Sequence, residues 1–229
     1  MRTENFDPEF YGRYLRHRDE LKWLYCELYH QDMTSYEALI NLLYATWQER
    51  PERLRESDRD RERNPDWVRR PDWVGMQMYV QNFGGTLQGV RQRLDYLQEC
   101  GVNFLHLMPL LESPEGRSDG GYAVSDFRKV QPTLGTMEDL SALAEDCHDR
   151  GILVCLDFVM NHTSEDHAWA KRAKAGEKAY QDRYFFYDQW DIPNAYERTM
   201  PQVFPTTAPG NFTWCKEAGK VVMTTFYPY

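Results

Sequence analysis

Two clusters of polar and aromatic residues stand out in the second half of the chain. The first is DGGYAVSDF, from Asp119 to Phe127, and the second is LDFVMNH, from Leu156 to His162. Each cluster places a carboxylate beside aromatic and hydrogen-bonding groups. A sugar pocket needs this combination, because the sugar ring packs on an apolar face while its hydroxyls require directional partners. The two clusters therefore predict a carbohydrate-binding site.

Each of these residues also has a purely structural interpretation. Asp157 could cap the turn that follows a strand, Asn161 and His162 could belong to an ordinary turn, and a single histidine is more often structural than catalytic. Tyr122 and Phe226, taken alone, would be rings of the core or the surface. Only the assembled pattern favours a site.

Short apolar runs alternate with amphipathic stretches beyond Asp72, which is typical of βα units around a parallel sheet. VGMQMYV, NFLHLMPL and ILVCLDFVM are the three predicted strands, and helices are predicted over residues 87–100 and from Thr136 through MEDLSALAEDCHDR. A long loop is expected between the second strand and Leu134. His106 lies in the second strand, where we expect it to make a hydrogen bond in the core.

Three successive βα units should wind right-handed into either an open doubly wound sheet or the start of a barrel. No G-x-G-x-x-G or Walker motif follows any strand, so a nucleotide-binding sheet is the weaker alternative. Beyond Thr163 the sequence is irregular apart from a short helix near Glu165–Lys174. An irregular region of this length usually serves as a lid or a small inserted domain.

The segment before the strands is helical in character. From Phe6 to about Arg70, apolar residues recur at helical spacing and glycine is almost absent. Asp32 or Thr34 is a candidate cap for a second helix. The highly charged run ERPERLRESDRDRER is typical of a solvated helix or a linker, and we interpret it as the hinge to the strand region.

Composition and charge exclude several classes of function. A net charge of -9 argues against nucleic acid as a partner. The first residues lack the apolar run of a signal peptide, and no stretch is long enough to cross a membrane, so we expect a cytoplasmic protein with no membrane partner. The five cysteines form no C-x-x-C pair and are expected to be free thiols. No metal and no other cofactor is predicted.

Five linked motifs, in order, resemble the amylosucrases of the α-amylase family, glycoside hydrolase family 13. They are QMYVQNFGGTLQGV, LDYLQECGVNFLHLMPLLESPEG, DGGYAVSDFRKVQPTLGTMEDL, LDFVMNHTSEDHAWA and APGNFTW with TTF, and they cover residues 76–226 almost continuously. The resemblance implies an α/β fold in which residues 71–162 form a partial TIM (β/α)8 barrel with strands 1 to 3 and their helices. An N-terminal helical domain over residues 1–70 precedes it, and part of an inserted, loop-rich domain B follows over residues 163–229.

The same resemblance implies substrate-binding roles for five residues. Tyr122 matches a tyrosine that stacks on the bound glucosyl ring, and Asp119 an aspartate whose salt bridge closes the pocket bottom. Asp157 matches an aspartate that supports an active-site arginine, His162 a histidine that hydrogen-bonds the glucosyl group, and Phe226 an aromatic residue of the same subsite.

Three further residues match structural positions near the site. Asn161 matches a calcium ligand of calcium-dependent relatives, although amylosucrases are not thought to need that metal. Asp126 and Arg128 match the motif that leads into the following helix.

The reaction implied by the resemblance is transfer of the glucosyl unit of sucrose to an α-glucan, with release of fructose. Retaining enzymes need two carboxyl groups about 5 Å apart, a nucleophile and an acid. Neither is recognisable here, because in the family they end the fourth and fifth strands and this chain stops at TTFYPY. We therefore expect no catalytic residue, and no activity of this chain alone.

An eight-stranded barrel needs roughly 250 residues, and three strands leave an unpaired sheet edge. We expect the chain to be a truncated gene product, a partial gene or one part of a split enzyme, with a second chain as a candidate source of the missing strands. Two other functions stay open. One is a sucrose or maltooligosaccharide hydrolase on the same scaffold, and the other is a non-catalytic carbohydrate-binding remnant.

Overall fold

The computed structural model describes residues 6–225. The chain divides into two compact units, Met1–Pro71 and Asp72–Tyr229. Within the described range, no helix combines the length and the apolar character that crossing a bilayer requires.

The first unit is helical. Its elements are α1 (Pro8–Leu28), α2 (Met33–Glu49), α3 (Glu52–Arg63) and a 3-10 helix at Pro65–Arg69. Asp7 caps α1 by accepting a hydrogen bond from the Glu9 backbone N–H. Asp32, rather than Thr34, caps α2, because its carboxylate accepts from two backbone N–H groups of the first turn.

The charged run forms α3, which has no buried residue, so the interpretation as a solvated helix is confirmed. The boundary between the two units falls later, after Pro71, so the run itself is not the hinge. Ion pairs hold α3 against α1: Arg13 Nε lies 2.7 Å from Glu62 Oε1, and Arg59 Nη1 lies 3.1 Å from Glu9 Oε2. Arg55 of α3 also lies over the Trp47 ring, 4.1 Å from its centroid. The mixed charges therefore serve packing between helices of one unit.

The second unit contains eight strands, seven α-helices and one 3-10 helix within the described residues. The strands are β1 (Gly75–Met78), β2 (Phe104–Leu107), β3 (Leu111–Glu112), β4 (Asp126–Val130), β5 (Leu153–Leu156), β6 (Phe186–Tyr187), β7 (Phe212–Cys215) and β8 (Lys220–Met223). The helices are α4 (Val80–Phe83), α5 (Leu87–Arg91), α6 (Leu94–Glu99), α7 (Met137–Asp149), α8 (Ala168–Lys174), α9 (Lys178–Gln181) and α10 (Asp191–Glu197).

Strands β1, β2 and β5 form a parallel sheet in that order, with Met78, Leu107 and Leu156 in register at its carboxyl end. Helices lie between these strands in the chain, which is the arrangement of the first part of a (β/α)8 barrel. Because the carboxyl ends of β2 and β5 are adjacent, the residues that follow them meet at one edge.

The core of this unit lies between the sheet and helices α5 to α7. Leu105 and Leu107 of β2 are fully buried there, together with Leu143 of α7. Burying a leucine side chain contributes about 1.5–3 kcal/mol, so this apolar layer stabilises the packing of the strands against the helices. The helix predicted over residues 87–100 is broken into α5 and α6 near Arg93, whose guanidinium donates to the Phe83 carbonyl.

Two regions contain more structure than the sequence predicted. The expected loop after β2 includes the antiparallel pair of β3 and β4. The region after Thr163 was expected to be irregular apart from one short helix near Glu165–Lys174. That helix is present as α8, and the region also contains α9, α10 and an antiparallel sheet in the order β6, β8, β7. These strands are only two to five residues long, so their alternating pattern was too short to recognise.

Candidate carbohydrate-binding site

The site forms where the two sequence clusters meet, at the carboxyl end of β5. Asp157 follows β5 directly, and its backbone N–H donates to the Leu107 carbonyl, 3.2 Å away. Its Oδ2 accepts a hydrogen bond from the Tyr122 hydroxyl at 2.8 Å. Its Oδ1 lies 3.0 Å from Nε2 of His106 in β2. One carboxylate thus joins two strands and the loop that carries Tyr122.

The Tyr122 hydroxyl is held in its neutral form. Its hydrogen bond to Asp157 raises the pKa of Tyr122 to about 12, with burial of the hydroxyl adding to the effect. Tyr122 as a whole residue remains 39% exposed. Tyr122 therefore offers an aromatic surface whose orientation is set by a bond at its far end.

A tight turn brings Tyr122 to this position. Asp119, Gly120 and Gly121 form one turn of 3-10 helix, and both glycines have positive φ, +61° and +85°. A Cβ at Gly120 would lie 2.7 Å from the Tyr79 hydroxyl, and one at Gly121 would lie 3.1 Å from the Pro109 carbonyl oxygen. Glycine is required here for both its conformation and its small size.

An ion-pair cluster ties the same loop to the segment after β5. Arg117 Nη1 lies 2.9 Å from Glu165 Oε1, and Arg117 Nη2 contacts Asp166. Lys174 contacts Glu165 and Lys171 contacts Asp166, so both carboxylates have a second cation. The two predicted site segments are therefore linked outside the site as well as within it.

His162 bonds the backbone of the Tyr122 loop. Its Nε2 lies 3.1 Å from the Tyr122 carbonyl oxygen, and its Nδ1 lies 3.1 Å from Asn161 Nδ2. Since an amide nitrogen only donates, Nδ1 accepts and the ring proton resides on Nε2, which donates to the carbonyl. Burial lowers the pKa of His162, which favours this neutral form. Both ring nitrogens are therefore bonded within the protein.

The remaining predicted residues lie apart from this network or outside the described range. Asp119 is exposed, and its carbonyl accepts from the Tyr122 N–H at 3.2 Å. Asp126 begins β4, and its Oδ1 accepts from the Arg128 backbone N–H at 2.8 Å, a bond that lowers the pKa of Asp126. The Arg128 side chain is exposed. Phe226 lies outside the described residues.

Two residues of this site were not predicted. His106 was expected to bond within the core, and this prediction is wrong, because Leu105 and Leu107 occupy the buried face and His106 faces the other side. Strict alternation in NFLHLMPL was the signal that could have shown this. Tyr79 follows β1 and places its hydroxyl beside Gly120, a contact that no sequence pattern indicated.

The geometry permits binding more directly than bond cleavage. An exposed ring, a fixed carboxylate and a neutral histidine can contact a polyol, since its hydroxyls both donate and accept. Among the residues that the structure describes, no three His, Cys, Asp or Glu side chains are arranged to hold a metal ion. Asn161 instead contacts His162.

Comparison with known proteins agrees with this architecture. The model of the α-amylase catalytic domain family matches residues 48–222. A trehalose synthase from a Pimelobacter species is 37% identical over 149 residues, which cover 64% of this chain and 25% of that protein. An oligo-1,6-glucosidase from a Bacillus species is 40% identical over 105 residues, 45% of this chain and 20% of that protein.

Solved structures show the same relationship. A mutant isomaltulose synthase from Erwinia rhapontici, in complex with sucrose, superposes with a TM-score of 0.58 at 30% identity and covers 68% of this chain and 28% of that one. A trehalose-6-phosphate hydrolase from Bacillus licheniformis gives a TM-score of 0.57 at 29% identity, with 67% and 28% coverage.

This chain belongs to the α-amylase family, glycoside hydrolase family 13, which comprises glycosidases and transglycosylases. The predicted fold class, a partial TIM barrel, is confirmed. The chain spans about a quarter of the length of the relatives that it matches. These relatives carry the names of several different enzymes, so family membership is coarser than a reaction.

Proposed function

We propose that this chain provides the glucosyl-binding wall of an amylosucrase-like enzyme, whose reaction transfers glucosyl units from sucrose to an α-glucan and releases fructose. The observation that carries the proposal is the hydrogen-bonded group formed by Tyr122, Asp157 and His162 at the ends of the parallel strands. Active sites of (β/α)8 barrels lie at this end. The sucrose bound to the isomaltulose synthase supports sucrose as the substrate class.

In this proposal the Tyr122 ring is the platform on which the glucosyl ring stacks. His162 donates from Nε2 to a sugar hydroxyl in place of the Tyr122 carbonyl. Asp119 and Phe226 line the same subsite, while Asp157 positions the Tyr122 hydroxyl and Asn161 positions the His162 ring. Asp126 and Arg128 stabilise the loop at the start of β4.

We also propose that the chain does not cleave sucrose on its own. Retaining chemistry needs a nucleophile and an acid about 5 Å apart. In the proposed site, the Asp157 carboxylate lies within hydrogen-bonding distance of Tyr122 and His106, and we assign it a positioning role rather than that of the nucleophile. A second chain that contributes strands of the same barrel is the protein partner that we propose.

Two alternatives have specific support. The names oligo-1,6-glucosidase and trehalose-6-phosphate hydrolase among the relatives favour a hydrolase of the same family. The exposure of the Tyr122 ring favours a non-catalytic carbohydrate-binding remnant, because an open surface can bind a sugar without cutting it. The ligand preferred by the purified chain separates the sucrose-acting enzyme from a hydrolase of other sugars.

The test is NMR titration of the purified chain with sucrose, maltotriose and isomaltose. We expect saturable sucrose binding with a Kd near 1 mM, which corresponds to a binding free energy of about 4 kcal/mol. The other two sugars should bind more weakly. Tyr122→Leu should abolish sucrose binding, while Tyr96→Leu, which removes an exposed ring from α6, should leave it unchanged. Preference for maltotriose or isomaltose would favour the hydrolase instead.

Two outcomes would contradict the proposal. If Tyr122→Leu and Tyr96→Leu bind sucrose equally well, the platform is elsewhere. If the wild-type chain gives no saturable signal with any sugar, the wall does not bind as proposed. An assay for fructose release tests the second claim, because steady release of fructose from sucrose by the purified chain would show that it is catalytically competent.

A further inference from the structure

His106 contacts the proposed site from within the parallel sheet. Its Nε2 lies 3.0 Å from Asp157 Oδ1, while Asp157 Oδ2 accepts from the Tyr122 hydroxyl at 2.8 Å. An ionised carboxylate only accepts hydrogen bonds, so both neighbours donate. Rotation about the last bond of an aspartate is soft, and bonds to the two oxygens together fix it.

The sheet holds the His106 ring in place. His106 is in register with Gln77 of β1 and Cys155 of β5, and it lies between the fully buried Leu105 and Leu107. Its own side chain is 25% exposed and that of Asp157 is 26% exposed. The central strand holds the backbone of His106 in place, and the ring is largely buried, whereas Asp157 begins a loop.

We propose that His106 is a positioning residue of this site, which orients the Asp157 carboxylate so that its second oxygen fixes the Tyr122 hydroxyl and thereby the sugar platform. His106 does not touch the sugar in this arrangement and acts only through Asp157. The inference rests on the proposed function, since it concerns the same binding wall. The proton on Nε2 is the element that matters, because the bond requires a donor there.

A merely structural histidine would fill space on β2 without affecting the Tyr122 hydroxyl. A structural role and a positioning role predict different results for two replacements, one that conserves the shape of the ring and one that conserves the hydrogen-bond donor. The side-chain amide nitrogen of a glutamine would reach the same place as the imidazole Nε2 and keep the donor, whereas phenylalanine keeps a ring and removes it. We therefore compare His106→Gln with His106→Phe, using His17→Phe at an exposed position of α1 as the matched control.

The readout is exchange of the Tyr122 hydroxyl hydrogen, observed without sugar. Tyrosine labelled with ¹³C at Cζ gives two signals in mixed H2O and D2O when the hydroxyl exchanges slowly, as a hydrogen-bonded hydroxyl does. Tyr122→Phe identifies the signal. We expect a resolved pair in the wild type, in His106→Gln and in His17→Phe, and a single averaged signal in His106→Phe.

The wild-type chain supplies a second measurement that needs no variant. Ring ¹⁵N spectra should show a proton on Nε2 of His106, and an Nε2 that carries no proton would overturn the proposal. An unchanged signal pair in His106→Phe, or its loss in His106→Gln as complete as in His106→Phe, would also overturn it. Thermal unfolding of each variant shows that the fold is retained.

Sucrose titration of the same variants connects this residue to function. Loss of one oriented hydrogen bond should weaken sucrose binding about three- to tenfold in His106→Phe, with recovery in His106→Gln. If no variant binds sucrose but the hydroxyl signals behave as expected, the proposed function fails and the positioning role stands. If sucrose binds but the signals do not respond to His106→Phe, the positioning role fails alone.

Discussion

The Tyr122 hydroxyl and the Asp157 carboxylate, 35 residues apart in sequence, are joined by a 2.8 Å hydrogen bond. Tyr122 lies between β3 and β4, in the connection that follows β2, and Asp157 directly follows β5, the strand beside β2 in the parallel sheet. The bond therefore connects the two segments that contain the polar and aromatic clusters of the sequence. Because the segments follow different strands, the state of this bond reports how well the site is assembled.

Removing the Tyr122 hydroxyl should cost a small but measurable amount of stability. Tyr122→Phe keeps the ring and deletes the donor to Asp157, so we expect the free energy of unfolding to fall by about 0.5–1.5 kcal/mol. Urea denaturation followed by circular dichroism measures this change. Tyr196→Phe, an exposed tyrosine of α10, is the control and should change stability by less. Equal effects in both variants would show that the bond contributes nothing.

The neutral His162 ring should make the fold sensitive to mild acid. Burial lowers its pKa below the value in the unfolded chain, so the unfolded state takes up a proton first as the pH falls. The contribution of His162 is present above the unfolded pKa of about 6.5 and is lost as the pH falls through the lower folded pKa. Stability should therefore decline below about pH 6.5.

His162→Gln should flatten this part of the pH profile, since glutamine does not titrate. His17→Gln, at an exposed position of α1, should leave the profile unchanged. His167 also has a pKa lowered by burial and contributes to the wild-type slope, so the flattening is partial. Urea midpoints measured from pH 7.5 to 5 give the comparison. Parallel curves for the wild type and His162→Gln would contradict the assignment.

Gly120→Ala should disturb the turn more than an ordinary glycine substitution does. A Cβ at this position has φ of +61° and would lie 2.7 Å from the Tyr79 hydroxyl. Gly101→Ala is a matched control, because Gly101 has φ of +75° but open space around the added Cβ. The left-handed conformation alone costs about 1–2 kcal/mol, and the clash adds to it at Gly120.

We therefore expect the free energy of unfolding to decrease more in Gly120→Ala than in Gly101→Ala. Combining Gly120→Ala with Tyr79→Phe removes the hydroxyl and should recover part of the difference. Chemical denaturation of the four proteins tests this expectation. Identical losses at the two glycines would show that Tyr79 does not approach the turn.

Arg117 should control the mobility of the Tyr122 loop rather than global stability. Its ion pairs with Glu165 and Asp166 are partly exposed, so they contribute at most about 1 kcal/mol. Arg117→Met should raise amide hydrogen exchange over residues 118–123 while leaving the Tm nearly unchanged. High salt should raise amide exchange over the same residues in the wild type by screening the ion pairs.

Arg18→Met is the control. It breaks an exposed pair with Asp19 and should leave amide exchange in the Tyr122 loop unchanged. Exchange that is unaffected by Arg117→Met would separate this cluster from the loop.

The sequence predicted the parallel part of the fold because its signals are local. Apolar runs indicated the three strands, and Thr136 marked the start of α7, where it forms a capping box with Asp139. The short antiparallel strands after Thr163 were missed, since two to four residues carry too little periodicity. The domain limits at residues 162 and 163 stay a prediction.

The candidate site was predictable only in part. Placement at strand ends indicated that Tyr122 and Asp157 would lie close together, and the structure brings them into contact. The partners His106 and Arg117 depend on side-chain direction and on loop packing, neither of which is written in local sequence. The substrate-binding roles of Asp119, Phe226 and the other site residues stay predictions.

In the proposed function, the hydrogen bond from His162 to the Tyr122 carbonyl would make sugar binding an exchange of one acceptor for another. A ligand that accepts a hydrogen bond from His162 Nε2 must replace the Tyr122 carbonyl as the acceptor. In the proposed site a sugar hydroxyl could do so at little net cost, whereas a deoxy analogue that displaced the carbonyl would leave a half-buried donor without a partner. In the function that we propose, this internal hydrogen bond would therefore let the site reject close analogues of its sugar.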